Sequence, residues 1–428
     1  MAYGGNYLFD PKVPPHQAAS CLDERTNGLR QMRIDDHCRS PAAHLGSTVT
    51  SDHGDPNLLV RGAKQSSMNN GHAAGGGAIP SLDGLRAVSV LLVLAAHAGY
   101  GHIVPGGFGV TIFFFLSGYL ITTLLVDEVA RTGRINVRNF YLRRSFRLFP
   151  PLVITLIIAY SLVAVGLLGG HISLGAILAQ LLYFANYYGL FFDPGNSVPA
   201  GTGILWSLAV EEHFYMFYPA VMVGLLAFGF SKYRIAAVLA VVCVVVLLWR
   251  IYLVAQPSFD YQRTYFSSDT RVDSIIYGCL LALVANPVPE KWRSPNPLLA
   301  VVPAGLLAIA VVAIVASFSW QDTALRETYR YSLHGLALMP VFYFSIKYAA
   351  QFPFTLLNHP WIAKIGVYSY AMYLIHHVVI NFMEKSVPWL FERTPLLAFA
   401  TFLIAIAYAA LLDVYVDSYF RRLRKKFR

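Results

Sequence analysis

Arg86 and His97 stand eleven positions apart in one apolar stretch, GLRAVSVLLVLAAHAGY. On a helix that spacing is a rise of about 16 Å and a return to within about 20° of the same face. One side of one helix would then carry a cation near its start and an imidazole well inside. An ionisable group at that depth is costly in apolar surroundings and is kept where it faces a polar cavity or takes part in chemistry. Neutral imidazole is the cheapest titratable side chain to bury, and it can act as a general base or a nucleophile near neutral pH. Taken alone, residues 86 and 97 leave two plainer readings open: a histidine bonded to a neighbouring helix, and an arginine marking a helix end.

Four further constellations carry polar chemistry. In FFFLSGYLIT, Ser117 and Gly118 interrupt an apolar run; small residues there favour close helix packing, and a nucleophilic serine would need a base in reach. In RRSFRLFPP, Arg144 and Arg147 are three apart, share a helical face and could grip phosphate groups, with the prolines in the first turn of a span. In WSLAVEEHFYMFYP, Trp206 is expected at the external interface, followed by Glu211, Glu212 and His213 inside an apolar run. Glu211 and Tyr215 can face one cavity, and of two adjacent carboxylates one is expected to be structural. Arg271 and Asp273 read as a buried ion pair, and one of His376 and His377 is expected to line the same cavity as His97.

The elements that must position these residues are apolar helices. Of 428 residues, 56% are hydrophobic and 13% charged, in blocks of about twenty, which marks an all-α polytopic membrane protein. The net charge of +10 lies outside residues 1–78, which hold seven basic and seven acidic residues. Basic residues at helix ends fit topology rather than nucleic-acid binding. No signal peptide is visible, so the first span would serve as its own insertion signal. The four cysteines, Cys21, Cys38, Cys243 and Cys279, have no metal-ligand spacing, so neither zinc nor a disulfide is expected. Residues 1–78 read as a disordered polar tail whose histidines His16, His37, His44, His53 and His72 are irregularly spaced, with Met68 as an alternative start.

Apolar segments fall at 85–103, 108–127, 150–169, 173–192, 206–229, 235–254, 271–286, 298–318, 331–350, 362–384 and 394–416. Arg131, Arg134, Arg138, Arg143, Arg144 and Arg147 place the second connection in the cytoplasm. If all eleven segments crossed, the later basic positions (Lys232 and Arg234, Lys291 and Arg293, Lys347 and Lys364, and the RRLRKKFR end) would lie outside. The conflict disappears if 173–192, the most polar with Gln180, Asn186 and three tyrosines, is re-entrant or interfacial. That leaves about ten transmembrane helices with both termini in the cytoplasm. A domain at 79–416 and a basic tail at 417–428 follow, without an internal repeat of transporter type.

In this order, SLDGLRA with Arg86 and His97, GVTIFFFLSGYLIT, RRSFR, WSLAVEEHFY and YSYAMYLIHH resemble acyltransferase family three, membrane proteins that O-acylate surface carbohydrates and related acceptors. The resemblance implies transfer of an acyl group, most often acetyl, from acyl-coenzyme A to a sugar hydroxyl of a polysaccharide, lipopolysaccharide or oligosaccharide at the cell inner membrane. It implies His97 as the catalytic histidine with Arg86 as its motif partner. Arg144 and Arg147 would be associated with the donor, and Glu211 or Glu212 would belong to the acidic catalytic motif. Ser117, Tyr215, Arg271 and His376 complete the candidate substrate contacts. The chain departs from the family at His213, where glutamine is commoner, and at His377, where tryptophan is; acceptor choice is what these departures put in question. The hydrolase-like domain fused to some relatives is expected to be absent. The competing class is a transporter or flippase for saccharides, since buried charges also line permeation paths.

Overall fold

The computed structural model describes residues 79–193, 195, 198–288 and 297–427. The expectations for residues 1–78, including Cys21, Cys38, the five histidines and Met68, and for Lys291 and Arg293, lie outside the described residues. The chain runs through α1 (Leu82–Ala95, prolonged by a π-helical turn, Ala96–Tyr100), α2 (Gly106–Thr132) and α3 (Val137–Ala164). Two short helices follow, α4 (Leu174–Leu181) and α5 (Ala185–Phe191), then a 3-10 turn (Thr202–Leu205) that leads into α6 (Trp206–Ala227). Next come α7 (Lys232–Val254), the short α8 (Tyr261–Phe266), α9 (Ser268–Val284), α10 (Pro297–Ser317), the short α11 (Thr323–Thr328) and α12 (Arg330–Lys347). The last are α13 (Pro360–Ser386), the one-turn α14 (Pro388–Phe391), α15 (Thr394–Leu412) and α16 (Ser418–Arg424).

Among the described residues, five rods are long and apolar enough to cross a membrane: α1 with its π turn, α2, α3, α7 and the continuous rod Thr394–Arg424. Helices α6, α9, α10, α12 and α13, of 17 to 27 residues, alternate in direction with them, and at 1.5 Å per residue they are about 25 to 40 Å long. Both ends of the described chain therefore meet at one end of the bundle. The Ser81 amide donates to Asn358 Oδ1 at 2.7 Å and the Ser81 hydroxyl to the Ser345 carbonyl at 2.6 Å. Arg143 likewise donates to the Phe427 carbonyl at 2.7 Å. Arg86, the arginines of α2 and α3, Lys232, Lys347, Lys364 and the basic tail all gather there, at the arginine end of the bundle.

Residues 173–192 do not cross. The segment breaks at Tyr183, whose φ is +57°, into helices of 8 and 7 residues. The two polar side chains that mark it in the sequence are what tie it down. Gln180 donates to Thr202 Oγ1 at 2.8 Å and accepts from the Tyr160 hydroxyl at 3.0 Å. Asn186 donates to the Phe266 carbonyl at 3.2 Å and to Ser268 Oγ at 3.0 Å. An amide in a span would have to find such partners in any case, since lipid supplies none.

One element differs from its expected form. Pro150 and Pro151 sit inside α3 rather than in a first turn, because the helix starts thirteen residues earlier, where the Asn136 side chain accepts from the Asn139 amide at 3.0 Å. The arginines from 138 to 147 therefore ride on a helix and not in a loop, which aims Arg144 into the bundle and leaves Arg147 exposed at its arginine end. At the bundle centre α9 packs on α2, α7 and α12. Gly118 and Gly278 allow the α2–α9 approach: a Cβ on Gly118 would stand 1.9 Å from the Ile275 carbonyl oxygen, and one on Gly278 2.0 Å from that of Phe115. The packing reading of Ser117-Gly118 holds at Gly118.

Candidate active site

His97 lies where α1 widens into its π turn. That turn ends through Gly99, at φ +105°, where a Cβ would meet Thr394 Cγ2 of α15 at 2.9 Å. Such widened turns recur at functional sites because they redirect one side chain without ending the helix. His97 Nδ1 is 2.9 Å from His376 Nε2 of α13. His376 Nδ1 is in turn 2.6 Å from the Tyr373 carbonyl. The His97 ring also stacks on His377, with centroids 4.5 Å apart and planes 20° off parallel. Both adjacent histidines of α13 thus contact His97, where one was expected. No carboxylate is among the partners of His97 within the described residues.

The acids belong to a second cluster, nearer the arginine end. Arg144 donates from Nε to Glu212 Oε1 at 2.9 Å, with Nη2 2.8 Å from the same oxygen and 4.0 Å from Glu211 Oε2. Its guanidinium lies over the Tyr215 ring, 3.2 Å from the centroid. Ser117, on α2, lies near Glu211 and Tyr215. The geometry corrects two expectations. The adjacent carboxylates both reach one arginine, because Arg144 comes between them from another helix. Glu211 and Glu212, expected in the acidic catalytic motif, are engaged with Arg144 and not with His97.

Between the two clusters Tyr373 forms the link. Its hydroxyl is 2.7 Å from Ser207 Oγ, one turn before Glu211 on α6, and its ring is 5.5 Å from that of His376. Toward the arginine end, Arg86 pairs with Asp83 in its own first turn. Arg147 is exposed, forms no ion pair among the described residues, and lies within electrostatic reach of Arg86, Arg144, Arg424 and Asp417. The basic tail contributes Arg424 because it folds against α3, with Phe146 stacked between Phe420 and Phe427 at 6.0 and 5.9 Å. A file of polar side chains therefore runs from His97 through His376, Tyr373 and Ser207 toward the Glu211–Glu212–Arg144 cluster, with Arg147 one helical turn beyond Arg144.

Three other expectations change. Asp273 pairs with Arg250 at 2.7 Å and not with Arg271; two residues apart on a helix are turned by about 200°, so they cannot share a face. Arg271, 1% exposed, sits instead among Phe114, Trp206, Tyr265 and Tyr331, nearest Tyr331 at 4.0 Å. It donates to Thr111 Oγ1 and the Tyr265 carbonyl, each at 3.2 Å. Trp206 is 7% exposed, held in this cation–π box rather than at an interface. His213 is 2.7 Å from Ser268 Oγ and stacks on Tyr187, off the polar file. Sequence reasoning missed Tyr373, although its place one turn before His376 signals a shared face. It also missed Arg424, which only the folded tail brings near.

Comparison with known proteins bears on the same residues. Positions 79–414 match the family model described as an acyltransferase domain. Peptidoglycan O-acetyltransferase OatA of Listeria monocytogenes is 29% identical over 344 residues, covering 76% of this chain and 54% of that protein. YrhL of Bacillus subtilis, which carries a provisional name of the same kind, is 32% identical over 316 residues, covering 71% and 48%. A provisionally named O-acetyltransferase of Staphylococcus aureus strain COL is 28% identical over 314 residues, covering 72% and 51%. The chain spans about half the length of these curated relatives. No solved structure matches it.

Proposed function

The chain belongs to acyltransferase family three, matched over residues 79–414, and we propose that it moves an acetyl group from acetyl-coenzyme A to a hydroxyl of a cell-surface carbohydrate. Peptidoglycan is the first acceptor to examine, because the OatA relative is named for it. The observation that carries this reading is the polar file between a cluster of arginines and His97. Basic residues concentrate at one end, which the positive-inside bias puts in the cytoplasm, where coenzyme A thioesters are made. Arginines there suit the donor's phosphates. The rise from Arg86 to His97, about 16 Å, is comparable with the reach of a pantetheine arm. His97 then lies in the half of the bundle away from the donor's phosphates, where an external sugar would arrive.

In the reaction His97 takes the proton of the acceptor hydroxyl as its oxygen attacks the thioester carbonyl. The carbon–sulfur bond breaks, the coenzyme A thiolate leaves with that proton, and the sugar oxygen keeps the acyl group as an ester. The same imidazole nitrogen could carry the acyl group in two steps. Arg86, Arg144 and Arg147 hold the donor, with Arg144 set by Glu211, Glu212 and Tyr215. Arg271 holds the aromatic wall of Phe114 and Trp206 in place beside the file.

Purified full-length protein in bilayer vesicles, given acetyl-coenzyme A and soluble peptidoglycan fragments, is expected to release free thiol and to form a base-labile ester on the sugar. A saccharide transporter would consume no thioester, so the absence of thiol release with every acceptor offered would reject the enzyme reading. Mass analysis of surface polysaccharide from cells with and without the gene identifies the acceptor. A second expectation concerns Arg147, which is exposed at the arginine end without an ion-pair partner among the described residues. Arg147→Gln is expected to raise the KM for acetyl-coenzyme A by about tenfold or more, the loss of one charge-assisted contact, while kcat stays within about threefold. An unchanged KM would remove Arg147 from the donor site.

A further inference from the structure

Hydrogen-bond chemistry at the three stacked imidazoles settles which nitrogen of His97 is free. A backbone carbonyl only accepts, so the 2.6 Å contact between His376 Nδ1 and the Tyr373 carbonyl requires the hydrogen on Nδ1. Neutral His376 then presents a lone pair at Nε2. His97 Nδ1, 2.9 Å from that nitrogen, must be the donor, and the hydrogen of His97 is spent there. His97 Nε2 is left bare. The His377 ring covers one face of His97 at 4.5 Å, so the imidazole can engage hydrogen-bonding groups only through its edges.

We propose that His376 is a positioning residue that holds His97 in the tautomer with an unprotonated Nε2, the form a general base or acyl acceptor needs. This rests on the acyl-transfer reading of His97. His376 is 0% exposed, so it does not touch the acceptor, and its expected place among the substrate contacts gives way to this role. When His97 takes the acceptor's proton at Nε2, its Nδ1–H becomes a charge-assisted donor to the His376 lone pair. The stabilisation grows as positive charge develops, as the aspartate of a serine-protease triad provides for its histidine. The chain of orientation runs from a helix backbone carbonyl through one imidazole to the next, without a carboxylate.

Two substitutions and one spectrum test this. His376→Gln keeps a carbonyl oxygen able to accept from His97 Nδ1, and is expected to retain kcat within about tenfold of the parent. His376→Leu removes the acceptor, and is expected to lower kcat about a hundredfold or more while the KM for acetyl-coenzyme A moves less than about threefold. A side chain that only filled space would show no advantage of Gln over Leu. Nitrogen-15 spectra of labelled full-length protein in bilayers, with His97 assigned by its loss in His97→Gln, are expected to show a protonated Nδ1 and a bare Nε2. A hydrogen on Nε2 in the parent, a Leu variant within about threefold of parental kcat, or a Gln variant as slow as the Leu variant would overturn the proposal. If the parent consumed no thioester at all, the acyl-transfer reading would fail, and the spectrum would still decide the tautomer.

Discussion

His97→Ala is expected to abolish acyl transfer in a protein that still folds, with a rate at least a hundredfold and up to about ten-thousandfold below the parent, the span that loss of a positioned acid–base group produces. The expectation is large for chemistry and small for stability. His97 occupies a terminal π turn and is partly exposed, so its removal takes away one hydrogen bond to His376 and one ring contact with His377. Each contributes on the order of 1 kcal/mol. Whether the imidazole serves as base or carries the acyl group, the same nitrogen is lost and the rate collapses either way. Thiol release, measured alongside a thermal unfolding curve, separates the two effects. A folded His97→Ala protein that acylated at the parental rate would remove His97 from the reaction.

Much of the architecture was legible because its determinants are local. Span lengths and basic ends are properties of single segments, and the non-crossing segment announced itself through Gln180 and Asn186. Arg86 and His97 were legible for the same reason, since helix periodicity fixes their relation without reference to another element. What escaped was everything decided between helices. The partner of His97 is 279 positions away and that of Arg144 is 68. Adjacency in the sequence suggested Arg271 with Asp273, but helical rotation points the two apart and a different arginine, Arg250, arrives from α7. Trp206 was assigned to the interface by the aromatic-belt rule; a buried guanidinium offers the same ring a competing and drier partner.

Asp273→Ala is expected to destabilise the fold far more than His97→Ala, by about 3 to 5 kcal/mol. Arg250 and Asp273 are both 0% exposed and 2.7 Å apart. Arg250 also donates to the Thr270 carbonyl at 2.6 Å, the Thr328 carbonyl at 2.9 Å and Ser332 Oγ at 2.6 Å, so one guanidinium joins α7, α9, α11 and α12. Removing the carboxylate leaves a full charge where neither water nor lipid can solvate it. Removing both partners leaves no such charge, so the double variant Arg250→Met, Asp273→Ala is expected to be more stable than Asp273→Ala alone, a strong coupling in a double-mutant cycle. The effect should reach the site, because the face of α9 that carries Gly278 lies against Phe115 of α2, two residues before Ser117. Denaturant titrations of the four proteins of the cycle, with thiol release at each concentration, check both parts. Additive single and double effects would show that the pair holds no charge in common, and that the four helices are joined by packing alone.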